Sequence, residues 1–492
     1  MDNKLIKKTS SGVAWNYLER LLAQGINLLV TIILSRLIAP EFFGAISIAT
    51  IMINICNIFI SNGFANSLIQ AKEVDTPMYN AIFYYGFISS ILLYLLIYFL
   101  SPIVSNFYDL QILTPVLRFM GLRIPIASIN AVQHAYLVRR LEFKKFFMAT
   151  LSSAVVSAIV GIGMAYGGYG IWALATQFLT SSIIDTIVLL FVCNWRPGRE
   201  VAWIKSLKLF SFGTKMLVAA LIKNIYSEIS GLIVGKRFSV KDLAYYTKGK
   251  QFPNIIVTNL NSSLSRVLFS TMSKFQDEQK RIKAMLRRSL KINVYIVVPL
   301  MVGMFACSTP IIRLLLTDSW SGSIPYLRLF CIVFLLKSIQ NVYFQAFNSL
   351  GKSGLTLKIE VFSTVFGVAT LLFAVFVLKN IYLVVVAMCL ECLLSVVLCC
   401  FFSRKLLAYS LREQGKDLMP VMLIGALMGI IVWGVGYLIH NLFIRLLLQI
   451  FIGVLVYVLF SKLFKIDSFG YLLKIIQNMV FKKRGKLHDE NT

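Results

Sequence analysis

Acidic residues are scarce: 21 Asp and Glu stand against 49 Lys and Arg, with only three histidines. His134, His440 and His488 show no metal-ligand spacing. There is no phosphate-binding glycine loop, no nucleophile elbow and no zinc motif, so the chain carries no sign of ATP hydrolysis and no covalent chemistry is expected. Gly161-x-Gly163 and Gly167-Gly168-x-Gly170 follow no strand. They read as close helix packing and a tight turn. The eight cysteines (Cys56, Cys193, Cys307, Cys331, Cys389, Cys392, Cys399 and Cys400) lie within or beside apolar stretches. They form no disulfide framework and read as small membrane hydrophobes; Cys389 and Cys392 have metal-like spacing but share one apolar helix. Long soluble loops are missing. So is the pattern of alternating segments, about 10 residues each, that a membrane β-barrel requires.

What is present is apolar sequence in long runs. Hydrophobic residues make up 58% of the 492, and the mean hydropathy is +0.78. Runs around Ile82–Ile103, Leu151–Tyr166, Val361–Leu378 and Val421–Tyr437 approach or exceed the roughly 18–20 residues a spanning helix needs. Lipid leaves no partner for an open sheet edge, so the spans should be helices. The segmentation predicts about fourteen of them, an all-α polytopic membrane protein. Spans one to six cover 12–35, 42–64, 80–105, 114–138, 147–166 and 170–193. Seven to twelve cover 208–234, 243–270, 289–316, 323–348, 355–378 and 381–403. Thirteen and fourteen cover 418–439 and 442–462. Lys4, Lys7 and Lys8 precede an apolar stretch as in a signal peptide. Glu19 and Arg20 interrupt that stretch, which reads as the first span.

The formal charge of +28 would suggest nucleic acid on a soluble protein. Here it reads as the positive-inside bias, and no nucleic-acid partner is expected. With the N-terminus inside, the inner segments collect Arg139, Arg140, Lys144, Lys145, Arg196, Arg199, Lys280, Arg281, Lys283, Arg404, Lys405 and the Lys-rich tail. The outer loops hold Arg36, Lys236, Arg237, Lys241 and Lys379. Both termini are therefore expected in the cytoplasm.

A weak internal repeat underlies the spans. One offset pairs Gly12 with Gly213 and Arg36 with Arg237; another pairs Leu117-Arg118 with Leu327-Arg328 and Ser128-Ile129 with Ser338-Ile339. Each half holds six spans and begins inside, so the repeat is parallel, with a pseudo-twofold along the membrane normal. The expected organisation is an N-terminal lobe (1–200), a C-terminal lobe (201–405), an added helix pair (417–463) and a basic tail (464–492).

Ionisable groups inside apolar spans are costly and so informative. Arg20, Gln24 and Asn27 share one helical face. Arg118 and Arg123 lie in span four, Lys215 and Lys223 in span seven, Lys248, Lys250 and Arg266 in span eight, and Lys337, Gln340 and Asn341 in span ten. Converging on a cavity, these bases would focus a field that attracts an anion such as phosphate, while the amides suit sugar hydroxyls. The alternative is snorkelling to headgroups, open above all for Arg118, Lys215, Lys248, Lys250 and Arg266. Glu19, Glu228, Asp185 and Glu391 are candidates for coupling to H+ or Na+, or for structural ion pairs. Asp185 and Glu391 occupy similar places in the two halves. No other cofactor is implied.

Leu34-Ser-Arg-Leu-Ile-Ala-Pro-Glu-Phe-Phe-Gly44 and Gly63-Phe-Ala-Asn-Ser-Leu-Ile-Gln70 resemble signatures of Wzx-type polysaccharide flippases, nearest the colanic-acid and teichuronic-acid exporter branch. Ala244-Tyr-Tyr, Pro253, Asn259, Ser265–Gln276, Trp320 and Ile324–Cys331 extend the resemblance into the second half. It implies the multidrug/oligosaccharidyl-lipid/polysaccharide superfamily, with two lobes around a cationic cavity. The implied cargo is an undecaprenyl-pyrophosphate-linked oligosaccharide, flipped across a bacterial inner membrane by alternating access. A Wzy-type polymerase and export machinery would act next, and membrane lipids surround the chain. The alternative within the superfamily is an ion-coupled exporter of small amphiphiles. Two departures stand out: Ser270 replaces the usual proline after Arg-Val-x-Phe, so span eight should bend less, and Thr317-Asp-Ser319 replaces a usual glycine before Trp320.

Overall fold

A computed structural model describes residues 22–60, 68–69, 74–203, 217, 226, 228–276, 278–471, 473 and 477. Among these the secondary structure is helical, with no strand. The chain divides into two compact units, Met1–Thr247 and Lys248–Thr492.

The first unit holds α1 (Leu22–Leu37), α2 (Pro40–Ile60), α3 (Thr76–Tyr108), α4 (Leu113–Gly121), α5 (Arg123–Arg139), α6 (Phe143–Tyr166), α7 (Ile171–Val192) and a helical run α8 (228–237). Helix α9 (Val240–Met272) straddles the division. The second unit continues with α10 (Gln279–Ala306), α11 (Ser308–Leu315), α12 (Ser323–Ser349), α13 (Ser353–Leu372, extended by a π-turn), α14 (Ile381–Leu407), α15 (Leu411–Leu438) and α16 (Leu442–Leu463). Ten of these, namely α2, α3, α6, α7, α10, α12, α13 with its π-turn, α14, α15 and α16, are long and apolar enough to cross a bilayer. The chain is a multi-pass membrane protein.

Proline decides where spans break. Span four, expected whole, is two helices. Pro125 has no N–H to give the Gly121 carbonyl, and α4 ends at Gly121. Span nine breaks likewise, with Pro310 opposite Ala306, the last residue of α10. At Pro102 and Pro299 a side chain takes over the missing bond and the helix continues. Pro102 leaves the Tyr98 carbonyl without its helical donor; Ser101 Oγ donates to it at 2.8 Å and Arg118 Nε at 3.4 Å. Pro299 leaves the Tyr295 carbonyl, and the Tyr457 hydroxyl of α16 donates to it at 2.8 Å. In lipid such carbonyls have no water to turn to.

In the first unit, Tyr79, Phe83, Tyr136, Leu189 and Trp195 form a core. Gly161 lets α6 approach Gln177 of α7, and Gly168 and Gly170 take positive φ in the turn between them, matching the packing-and-turn reading. Residues of α8 and the start of α9 pack on α2 and α3. Lys241 pairs with Glu41 at 2.9 Å, Ser47 and Thr247 hydroxyls lie 3.4 Å apart, and Tyr108 donates to the Leu232 carbonyl at 3.0 Å. Gly44 meets the Val240 backbone so closely that a Cβ would not fit. Ser47 and Thr247 are 200 positions apart, close to the first repeat offset.

In the second unit, α10, α12, α14, α15 and α16 share a core that includes Leu286, Val298, Tyr343, Cys399, Met428 and Val456. Gly425 and Gly429, one turn apart on α15, receive Val298 and Val302 of α10. Ions fasten the same pair of helices. Asp417, 5% exposed, takes a two-pronged contact from Arg287 (2.7 and 3.0 Å), a 3.1 Å contact from Lys291 and a 2.8 Å hydrogen bond from Tyr409. Lys283 reaches Glu413 at 3.0 Å, and Ser410 and Glu413 close a capping box at the start of α15. Burial, with the bond to Asp417, pushes the Tyr409 phenol above its ordinary range, so it remains a donor.

Candidate functional site

Each unit carries a layer of polar side chains held between apolar helices. In the first unit it lies between α5 and α7. Arg123, Asn130 and His134 fall on one face of α5; Phe178, Ser182, Asp185 and Thr186 fall on one face of α7. The two faces meet. Arg123 Nε donates to Ser182 Oγ at 3.2 Å, and its guanidinium lies 5.1 Å from the Phe178 ring centre. Asn130 Nδ2 donates to Asp185 Oδ2 at 2.9 Å, and Thr186 Oγ1 donates to Asn130 Oδ1 at 2.7 Å. His134 Nε2 stands 3.3 Å from the same Asp185 oxygen. Asp185 Oδ1 is buried with no hydrogen-bond partner among the described residues. An acceptor left open beside an imidazole can take a proton or help hold a cation.

The second unit repeats this arrangement with different chemistry. Gln340 Nε2 on α12 donates to Ser395 Oγ on α14 at 2.6 Å. Asn130–Asp185 and Gln340–Ser395 are both separated by 55 positions, and the repeat offset that aligns Arg118 with Arg328 carries one pair onto the other. Ser395, not Glu391, therefore stands where Asp185 stands. Glu391 lies a turn earlier, buried, and accepts from the Cys392 thiol at 3.1 Å. Around Gln340, Asn341 donates to Ser265 at 2.9 Å, and Ser338 Oγ lies 3.0 Å from both Asn293 Oδ1 and Asn261 Oδ1, with one proton to share between them. Lys337, half-buried, lies 5.9 Å from the Phe334 ring centre.

The remaining candidates separate. Glu19, Arg20, Lys215 and Lys223 lie outside the described residues, as does the side chain of Arg266. Gln24 is half-buried and Asn27 exposed on α1; Glu228 is half-buried on α8. Lys248 is 6% exposed with its ammonium 5.5 Å from the Trp320 ring centre, and Lys250 is half-buried. Arg118 is a brace: besides the Tyr98 carbonyl it donates to Ser101 Oγ at 3.1 Å and stacks on the Tyr98 ring at 4.2 Å. Arg328 does the same in the second unit, donating to Ser308 Oγ at 2.8 Å and Thr309 Oγ1 at 3.3 Å.

Sequence reasoning passed over His134, Asn130, Ser182, Thr186 and Ser395. The signal for His134 was its place one turn beyond Asn130 on a face that already held Arg123. A second feature had no signature in any single span: an apolar cleft of about 570 Å³ lined by Ile256, Pro299, Gly303, Met428, Gly453 and Tyr457. It forms where α15 and α16 pack beside α10, and its wall is almost wholly hydrocarbon.

Comparison with known proteins fits this architecture. The sequence pattern of the family described as "Polysaccharide biosynthesis protein" matches residues 33–325. Lipopolysaccharide biosynthesis protein WzxC of Escherichia coli (strain K12) is 22% identical over 366 residues, 73% of this chain and 74% of that protein. Succinoglycan biosynthesis transport protein ExoT of Rhizobium meliloti (strain 1021) is 22% identical over 326 residues, 66% of each chain. Among solved structures, lipid II flippase MurJ in an inward closed conformation is similar with a TM-score of 0.75 at 18% identity, covering 93% of this chain and 99% of that one. An inward-facing multidrug resistance transporter of the MATE family gives 0.64 at 14% identity, covering 79% and 94%. These structural likenesses establish the shared helical fold. The family pattern spans more than half of the sequence, and the chain belongs to the polysaccharide biosynthesis protein family.

Proposed function

We propose that this chain is a flippase that moves a polyprenyl-pyrophosphate-linked oligosaccharide across a bacterial inner membrane by alternating access. It would serve exopolysaccharide, capsule or O-antigen synthesis, with no covalent step. The observation that carries the reading is the pairing of two unlike surfaces in one membrane protein: polar, partly cationic layers inside the helices, and a hydrocarbon-walled cleft beside α15 and α16. A polyprenyl-linked sugar has the same two parts. The layers supply donors for pyrophosphate and hydroxyls, and burial strengthens each contact by excluding water. The cleft suits an isoprenoid tail. The named activities of ExoT and MurJ support the same direction.

In this reading the cationic candidates Arg20, Arg123, Lys215, Lys223, Lys248, Lys250, Arg266 and Lys337, with Gln24, Asn27, Gln340 and Asn341, face the cargo during part of the cycle. Arg118 acts as a brace instead. Both termini lie in the cytoplasm, and a Wzy-type polymerase takes the product. Asp185, beside His134, is the leading coupling group for H+ or Na+; Glu19, Glu228 and Glu391 are the others.

The test is translocation of a labelled lipid-linked repeat unit by purified protein in vesicles, with and without proton and sodium gradients. Folded protein that flips no native cargo under any gradient ends the reading. Unchanged flipping by the Arg123→Ala, Lys223→Ala and Lys337→Ala variants rejects the site. The MATE-like fold favours one competitor, an ion-coupled exporter of small amphiphiles. Efflux of cationic dyes with no flipping of the lipid-linked unit would decide for it.

A further inference from the structure

A polar pocket of about 710 Å³ lies in the first unit, where α5 and α7 end beside the start of α3. Its wall brings together Arg139, Arg140 and Arg196 with the rings of Tyr79, Tyr136 and Trp195. The guanidinium groups are held in place. Arg139 donates to the Leu68 carbonyl at 2.7 Å, Arg196 to the Leu190 carbonyl at 2.8 Å, and Arg140 stacks on Tyr136 at 4.3 Å. Arg140 and Arg196 are exposed on the pocket wall, and one carbonyl contact occupies only part of a five-donor guanidinium. Asp75, the acidic residue of the lining, is engaged in capping α3 through Met78 N at 3.0 Å. Trp195 is 4% exposed, yet its indole Nε1 has no acceptor among the described residues. The Trp195 ring forms part of the pocket wall beside the three guanidinium groups.

Arginine forks match phosphate oxygens, and the aromatic rings offer flat faces for the C–H side of a sugar. Arg139, Arg140 and Arg196 also belong to the segments that the charge bias puts inside. We propose that this pocket binds the diphosphate ester of a sugar on the cytoplasmic side, with Arg140 and Arg196 gripping the diphosphate and the Tyr79, Tyr136 and Trp195 rings walling the sugar. The inference rests on the flippase reading only for its biological meaning, as a place where the headgroup is held before translocation. Two sources share the chemistry: a polyprenyl diphosphate sugar in the inner leaflet, or a soluble nucleoside diphosphate sugar.

The experiment is equilibrium binding to the full chain in nanodiscs of neutral lipid, read by tryptophan fluorescence. Inorganic pyrophosphate is the first probe. Geranylgeranyl diphosphate and UDP-N-acetylglucosamine then compete in separate arms. Wild-type protein should bind pyrophosphate, and Arg140→Gln/Arg196→Gln should weaken it at least tenfold. Arg140→Lys/Arg196→Lys should recover part of the affinity, since charge returns without the fork. Competition by the prenyl probe alone assigns the lipid source; competition by the nucleotide sugar assigns the soluble one. The proposal is overturned by any of three results: no pyrophosphate binding by wild type, binding within twofold of wild type in the Gln variant, or equal binding of sulfate. Because binding is read without transport, a negative result leaves flipping untouched, and a failure of flipping leaves the pocket intact. Thermal melts confirm folding, with Arg196→Gln alone as the milder variant.

Discussion

The polar layers of the two units share a scaffold and differ in the side chains at matched positions. Asn130 meets Asp185 in the first; Gln340 meets Ser395 in the second, at the same separation. Where the first unit has Arg123 and His134, the same offset gives Val333 and Phe344 in the second. The second unit concentrates its ion pairs elsewhere, around Asp417 at the base of the added helices. The pattern implies a division of labour. Asp185 beside His134 sets a carboxylate against an imidazole, whereas Gln340 meets Ser395 as two neutral groups, with Lys337 and Glu391 on the same two helices. The ions around Asp417 serve cohesion.

The largest expected effect tests the cohesive side. Asp417→Ala leaves Arg287 and Lys291 facing a hole that was nearly sealed from water. Losing one partner of a buried pair costs about 3–5 kcal/mol, and partial solvation of the two bases lowers this to about 2–3 kcal/mol. Chemical denaturation of the second unit in detergent should register it. A loss below about 0.5 kcal/mol would mean that water already screens the cluster.

Tyr457→Phe comes next, at about 1–3 kcal/mol, because the Tyr295 carbonyl opposite Pro299 loses its donor inside apolar surroundings. Adding Pro299→Ala should return part of the loss by restoring the helical N–H. Additive costs in the double variant would refute the proline explanation.

The contrast between layers is sharpest in transport. Asp185→Asn should lower the flipping rate about tenfold, or about 1.4 kcal/mol, and remove its dependence on the coupling gradient. Ser395→Ala should lower it no more than about twofold, since only one neutral hydrogen bond is lost. Equal losses would break the proposed asymmetry.

The smallest effect concerns the braces. Arg118→Gln and Arg328→Gln should each cost about 1 kcal/mol of stability, and by similar amounts, because each loses charged hydrogen bonds to hydroxyls of the preceding helix. A transport defect confined to Arg118→Gln, with stability intact, would return that residue to the cargo site.

Much of this was legible in the sequence. The repeat was visible as Arg118 against Arg328, and the structure gives those arginines the same job. Asp185 was marked as an ionisable residue in lipid. Its partners were not, because Asn130 and His134 lie more than fifty positions away and are ordinary residues in an ordinary helix. Arg118 was drawn toward the cavity because one span does not reveal that Pro102, on another helix, leaves a carbonyl needing a donor. The proline breaks at Gly121 and Ala306 were missed because a proline inside a span can be bridged, as Pro102 and Pro299 are, and only the packing shows which ones are not.

The sequence by itself determined that this chain lies in a membrane and that it is helical. Those properties follow from run length and from the lack of water to satisfy backbone groups in lipid. Only the tertiary structure decided which buried charges act as fasteners and which stand open. The cost of a charge in lipid depends on what lies within about 4 Å of it. For Asp185, Arg118 and Asp417 those neighbours come from other helices, so only packing brings them there.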